Sequence, residues 1–472
     1  MKDLGITEKI ARFALQSAYS HLSNDIRDQL KKHLLDSIGS MLYSLQAPTV
    51  QKLLRQTASL QQDGACQVPV IGHTAVDRAA QLYTLLIRYP DFMDNFLGKE
   101  ATCHPSDNIG AVLAAAQLAG ASGRDLLTTM AVAYQLECTL VEQMPLMAKG
   151  IDHTVLLAMS VTAALGKMFS LTEEETAHAI GITASTFNTT VTTRASYTYE
   201  WKGFASSLVA LGCTNVVLLA KEGVTGPVSY FEGPKGFKEE FGMDPAFDCA
   251  TGDFSLIKKC ILKSYNAEVH TQPAVEAMLE LRQQYNIAPA EVEKIDVTTF
   301  LTAYNIVGGG QYGNRKLVQT KEQADHSLPY LMAVALLDGE VWPQQFLPER
   351  IRRADVQALL QKVETGTGLP LHSPRKLIEK IDPYTAPYPE KMNTKVCVKL
   401  KSGEEHCIKK EDFKGFHTRP LSWDDVIAKF HRLGAGSLDE ATREQIIRTV
   451  QNLENEDVST LTNELSGSHA LA

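Results

Sequence analysis

Apolar residues recur at intervals of three and four through the first 260 positions of the chain. Ile6, Ile10, Phe13 and Ala14 line one face of residues 6–18, and Ile26, Leu30, Leu34, Ile38 and Leu42 do the same over 26–46. That spacing predicts amphipathic helices. Residues 108–120, NIGAVLAAAQLAG, are small and apolar on nearly every side. They predict a helix enclosed by other helices, not one at the surface. Residues 125–140 and 154–169 continue in this style. Thr172 precedes Glu175 by three positions, the pattern of a capping box that starts a helix.

The texture changes near residue 261. Lys294–Phe300 alternates as a strand does. Residues 395–400 put Val396, Val398 and Leu400 on one face, and Ser402-Gly403 signals a turn, so 404–409 is expected to pair back as a hairpin. Residues 273–286 and 327–337 keep helical spacing. From Ser422 the pattern is helical again, with Asp425 three positions on and Val426, Ile427 and Phe430 following. Another helix is expected after Ser437, and a frayed tail after Leu465. The expected fold class is mainly α with an α+β part. A large discontinuous all-helical domain, residues 1–260 and 416–472, is interrupted by a smaller α+β lid domain, residues 261–415.

Charge narrows the function classes. Lys and Arg total 46 against 55 Asp and Glu, a formal net charge of −9. Broad nucleic-acid binding needs basic stripes, so no nucleic-acid partner is expected. Any anion site must be built from a local cluster of cations. No uninterrupted apolar run reaches 18 residues, and the first 22 positions carry scattered charges without a signal core. No membrane partner is therefore expected, and the cytoplasm is the expected location. Cysteines 66, 103, 138, 213, 249, 260, 397 and 407 form no C-x-x-C pair and no zinc-finger spacing. They read as free thiols in a reducing compartment, with no structural metal and no cysteine-held iron–sulfur cluster. A Walker loop, H-E-x-x-H, G-x-S-x-G and a strand-to-helix G-x-G-x-x-G are all missing, so neither redox-cofactor nor nucleotide chemistry is suggested.

Several polar motifs interrupt the apolar pattern. His104 lies in Cys103-His104-Pro105-Ser106-Asp107-Asn108, directly before the enclosed helix. Ser106 or Asp107 is expected to cap that helix and turn its first amides toward the His104 loop, which favours a carboxylate there. His104 is then either an acid–base group working near neutral pH or a loop histidine beside an ordinary cap. His153 follows Gly150-Ile151-Asp152. It either shares the same site or fills space behind a capping Asp152. Arg194 and Lys202 stand among aromatics. Two such cations suit a polycarboxylate, whose charges are costly to desolvate unpaired, or they belong to a solvated loop. Lys263, Glu268 and His270 sit at the change of texture, where they point across an interdomain cleft or provide hinge polarity. Tyr330 follows Asp325-His326-Ser327, a segment that otherwise reads as a capped helix start with a packed tyrosine.

Taken in order, these segments resemble the MmgE/PrpD family, which includes 2-methylcitrate dehydratases and cis-aconitate decarboxylases. The resemblance runs through DFMDN at 91–95, HPSDN at 104–108, GIDHT at 150–154, WKG at 201–203 and TGP at 225–227. It continues through YNAEVHTQPAVEA at 265–277, DHSLPYLMAVALLDG at 325–339 and GFHTRPLSWDD at 415–425. It implies a large helical domain with an α+β lid, usually a homodimer, acting on tricarboxylic acids in the cleft without metal or organic cofactor. It marks Asp91, His104, His153, Lys202, Lys263 and Tyr330 as catalytic positions, and Asn95, Ser106, Arg194, Glu268 and His270 as substrate contacts. Asn95 replaces a threonine common in the family, and Glu268 replaces a histidine of decarboxylase-like members. The A-E-x-H arrangement at 267–270 and HPSD in place of HPSG are shared with dehydratase-like members. The implied reaction is loss of water from a 2-methylcitrate- or citrate-like acid, in propionate metabolism. Decarboxylation of cis-aconitate, epimerisation of a dicarboxylate, and a non-catalytic helical binding protein are the alternatives.

Overall fold

Local signals place most of the helices. In the computed structural model, which describes residues 4–60, 63–195 and 197–467, Thr172 opens the helix Glu173–Thr186 with a reciprocal capping box. Its hydroxyl accepts the Glu175 N–H at 3.2 Å, and the Glu175 carboxylate accepts the Thr172 N–H at 2.7 Å. Ser422 and Asp425 repeat this at the start of Trp423–Gly434. Ser196 and the tail 468–472, where fraying is expected, lie outside the described residues.

The architecture is mainly α with an α+β part, in two units. Unit 1 comprises residues 1–191, 203–262 and 421–472. Its centre is three helices, Ile109–Ala119, Gly123–Gln143 and Thr154–Met168, whose side chains are buried on nearly every side. Ile109–Ala119 packs against Val76–Arg88 at a distance that only glycine permits, because a Cβ on Gly110 would stand 2.3 Å from the Thr84 nitrogen. The returning helix Trp423–Gly434 lies on Asn24–Ser44. The helix Trp201–Lys221, whose residues 203–221 belong to this unit, is long and apolar enough to cross a bilayer by length and composition, and half of that apolar stretch is buried in the fold.

Unit 2 comprises residues 192–202 and 263–420. A four-stranded sheet runs in the order Val363–Gly366, Val292–Thr298, Thr394–Leu400, Glu405–Lys410. The first pair is parallel and the others antiparallel. Ile295, Val297, Val396 and Val398 bury one face under the helices Gln272–Tyr285 and Leu328–Asp338. Period-two alternation sends Lys395, Cys397 and Lys399 to the other face.

Two expectations change. Cys397 and Cys407 are joined in a disulfide, so they are not free thiols. The hairpin register sets them directly opposite each other, a pairing that spacing rules for C-x-x-C do not detect. The other six cysteines are free. Lys202, expected within the first helical segment, groups with unit 2, where its ammonium is bound.

Candidate active site

In unit 1 the candidate chemistry grows from a short hairpin. Phe96–Leu97 pairs with Thr102–Cys103 in the register Phe96 to Cys103. The residues just outside that pairing, Asn95 and His104, are therefore neighbours, and the Asn95 side-chain amide lies 3.1 Å from His104 Nδ1. The same nitrogen is 2.8 Å from the Asp94 main-chain carbonyl. These two contacts anchor the Nδ1 edge of the ring to the DFMDN loop. The His153 ring stands edge-on to His104, with centroids 5.3 Å apart. Both histidines are buried.

The loop beneath them is held by buried charge. Asp94 Oδ2 lies 2.6 Å from His33 Nδ1, and Asp94 Oδ1 accepts the Ser106 N–H at 2.9 Å. Burial acts to raise the Asp94 carboxyl, but the hydrogen bond and charge of His33 and the bonds from Ser106 leave it below the usual carboxylate range. Lys429 gives a hydrogen bond to the Phe92 carbonyl at 2.7 Å, sits over the Phe92 ring, and pairs with Asp36 at 2.7 Å. Asp91 adopts φ 57°, left-handed for a non-glycine residue, with Arg88 Nη1 3.9 Å from its carboxylate. Ile261 and Asn95 exchange main-chain bonds of 3.0 and 2.8 Å. On the far side of the HPSDN turn, Asn108 donates to Glu137 at 2.7 Å and accepts from Ser160 at 2.9 Å. Burial, reinforced by Asp107, pushes the Glu137 carboxyl well above its ordinary value.

The expected cap of the enclosed helix is corrected by this geometry. Pro105–Asn108 is a 3-10 turn, and the helix starts at Ile109 with no side-chain cap. The 3-10 turn moves the N-cap position on to Asn108; within the turn the Ser106 N–H is given to Asp94, and Asp107 accepts the Ser206 hydroxyl at 2.6 Å. A carboxylate does sit at these amides, but it is the protein's own. Asp152 accepts the Thr154 N–H at 3.1 Å just before the helix Thr154–Met168, whose N-cap position is His153 and has no side-chain cap bond.

In unit 2 a second buried cluster forms. Lys202 Nζ lies 3.1 Å from Asp325 Oδ1 and 3.0 Å from His326 Nδ1. Lys321 binds the other oxygen of Asp325 at 2.9 Å. Burial opposes the charge on Asp325, but Lys202, Lys321 and His326 together hold its carboxyl far below the usual range. The Glu268 main-chain N–H donates to the Asp325 carbonyl at 3.0 Å. The Glu268 carboxylate meets His270 Nδ1 at 2.6 Å, and His270 Nε2 meets the Tyr388 hydroxyl at 3.0 Å. Burial works to raise Glu268, but His270, His326 and Lys263 outweigh it and hold the carboxyl low. Lys263 is fully buried, and Arg194 is buried too. Tyr330 is fully buried, with its hydroxyl given to the Gln345 carbonyl, and burial raises that hydroxyl.

Two sets therefore stand out. Asp91, Asn95, His104, Ser106 and His153 gather in unit 1. Lys202 with Asp325 and His326, and Lys263 with Glu268 and His270, gather in unit 2. His270 and Tyr330 have their polar atoms committed to internal partners. Sequence reasoning did not single out His33, Asp36 or Lys429, which lie on helix faces otherwise readable as amphipathic. It also passed over Asp94 and His326, although both stand inside quoted motifs.

Comparison with known proteins fits this two-unit plan. The MmgE/PrpD N-terminal domain matches residues 8–250, and the MmgE/PrpD C-terminal domain matches residues 265–455. The chain belongs to the MmgE/PrpD family. At the family level that makes it an enzyme of the lyase type. It is 27% identical over 362 residues to a 2-methylcitrate dehydratase of Escherichia coli, covering 70% of this chain and 71% of the relative. A 2-methylcitrate dehydratase of Cupriavidus necator is 27% identical over 357 residues, 71% of each chain. Cis-aconitate decarboxylase of Mus musculus is 23% identical over 485 residues, 98% of this chain and 93% of the relative.

Proposed function

We propose that the protein is a hydro-lyase that removes water from a 2-methylcitrate- or citrate-like tricarboxylic acid and gives an aconitate-type alkene. The observation that carries this reading is the pair of buried imidazoles, His104 and His153, with ring centroids 5.3 Å apart beside the DFMDN loop. His104 Nε2 takes the proton from the carbon next to a carboxylate, and charge builds on an enolate-like transition state. Lys202 and Lys263 stabilise that charge and hold carboxylates, a role suited to buried cations in a low-dielectric setting. The hydroxyl leaves with a proton from His153, the ring beside His104. Asp91 orients the substrate hydroxyl. Tyr330, with its hydroxyl bound to Gln345, supports its helix in this reading and does not move a proton.

No cofactor enters this scheme. Its test is turnover of 2-methylcitrate and citrate by protein treated with a chelator: retained alkene formation supports the reading, and complete loss restored by one metal ion refutes the cofactor-free part. His104→Gln should lower kcat by at least about 100-fold, the range of general acid–base catalysis, with KM changed little.

Decarboxylation of cis-aconitate is the second reading. The mouse decarboxylase aligns over nearly the whole chain, which favours it. Glu268 in the A-E-x-H segment favours dehydration. Carbon dioxide released from cis-aconitate by the purified protein would decide for the decarboxylase.

A further inference from the structure

The outer face of the unit 2 sheet carries a cluster that the proposed chemistry does not use. Cys397 and Cys407 face each other across the hairpin, with Cα atoms 4.1 Å apart. Glu405 lies two residues before Cys407 and so shares its face. One Glu405 carboxylate oxygen and the two sulfurs all lie within 4.8 Å of one another. Lys399 stands opposite Glu405, and Lys395 opposite Lys409, on the same face.

We propose that reduction turns this disulfide into a binding site for a soft or borderline divalent cation of the Zn²⁺ class, held by the sulfurs of Cys397 and Cys407 and a carboxylate oxygen of Glu405. A dithiol reductant supplies two electrons and two protons. The S–S bond breaks, two S–H groups form, and the reductant leaves as its own disulfide. The cation then displaces both thiol protons to solvent as two metal–sulfur bonds form. Glu405 adds an oxygen, and solvent fills the remaining tetrahedral position.

Two features suit the site to this ligand class. Tetrahedral zinc with bonds of about 2.3 Å to sulfur sets two sulfurs about 3.8 Å apart. Two reduced sulfurs in contact adopt nearly that spacing, as the buried Cys138–Cys260 pair does at 3.7 Å. Opposed positions on adjacent strands keep the pair together when the covalent link is gone. The other cysteines are poorer competitors. Burial raises Cys66 and Cys249 to about 11 and Cys213 to about 12, and raises Cys103, Cys138 and Cys260 as well.

The experiment uses full-length protein, reduced with a dithiol, freed of reductant without air, and titrated with Co²⁺. The expected result is one ion per chain with a sulfur-to-cobalt charge-transfer band, absent from unreduced protein and displaced by Zn²⁺. Cys407→Ser should abolish the band, and Glu405→Gln, an exposed change that leaves the fold intact, should weaken binding at least tenfold. No band in reduced wild-type protein overturns the proposal, as does a band of unchanged affinity in either variant.

Discussion

Glu137 is a buried carboxyl whose charged form the fold resists. Burial is the largest cause, with Asp107 next, and the Asn108 amide only partly offsets them. A carboxyl raised on folding holds its proton in the folded state after the unfolded chain has lost it. Its penalty therefore starts as pH rises past the unfolded value of about 4.3 and grows until the folded value is reached. Glu137→Gln keeps an acceptor for Asn108 and removes this dependence. Its stability relative to wild type should rise by about 1 kcal/mol or more between pH 5 and pH 8, read by denaturant melts at the two pH values. A gap that stays flat would contradict the assignment. Asp325 behaves oppositely. Its carboxyl is depressed on folding, so its contribution is complete above the unfolded value of about 3.9 and is lost as pH falls through the folded one. Asp325→Asn removes one partner from a buried charge cluster and should cost about 3–5 kcal/mol at neutral pH, with the difference shrinking in acid. Short polar motifs single out His104, His153, Lys202 and Lys263 as candidates, but they do not single out Asp94 and His326, which stand inside the same motifs. The His33–Asp94 contact is not readable from sequence, because it joins positions 61 residues apart that no local pattern links.

The DFMDN loop depends on elements distant in sequence. Asn24–Ser44 supplies His33 and Asp36, three residues apart on one helix face, and Trp423–Gly434 supplies Lys429. Burial raises the Asp36 carboxyl, and Lys429, the largest opposing influence, lowers it. Removing two charges from water is costly, so replacing a buried ion pair by apolar residues of similar size is often neutral or stabilising. The double variant Asp36→Leu with Lys429→Met should therefore melt no lower than wild type. It should nonetheless lose at least about tenfold in kcat/KM, worth about 1.4 kcal/mol at the transition state, because the Phe92 carbonyl loses its donor. Thermal melts beside steady-state kinetics check both halves; equal losses of stability and activity would make the pair merely structural. Helix starts at Thr172 and Ser422 are readable in sequence because a capping box is complete within four residues. The start at Ile109 misleads, since the preceding residues form a 3-10 turn tied to Asp94 and Ser206, partners that no local pattern supplies.

For the whole molecule, alternation and helical spacing separate an α body from an α+β insertion, because those periods are set by local geometry. Grouping Lys202 with the insertion requires its contact with Asp325, which is 123 residues distant. We propose that the molecule is a homodimer. The helix Trp201–Lys221 supports this with a stripe of Phe204, Leu208, Leu211 and Leu219, in which Leu208 and Leu219 are exposed. Leu208→Glu should shift the light-scattering mass toward monomer and weaken association by at least tenfold, whereas an unchanged mass would place any interface elsewhere. The central claim is elimination of water with His104 as base. Its most direct test is alkene formation from 2-methylcitrate, followed by ultraviolet absorbance with carbon dioxide measured in parallel, for wild type and His104→Gln. The account predicts alkene without carbon dioxide in wild type and at least a 100-fold lower rate in the variant. Full activity in His104→Gln, or no alkene from any tricarboxylate, would contradict it.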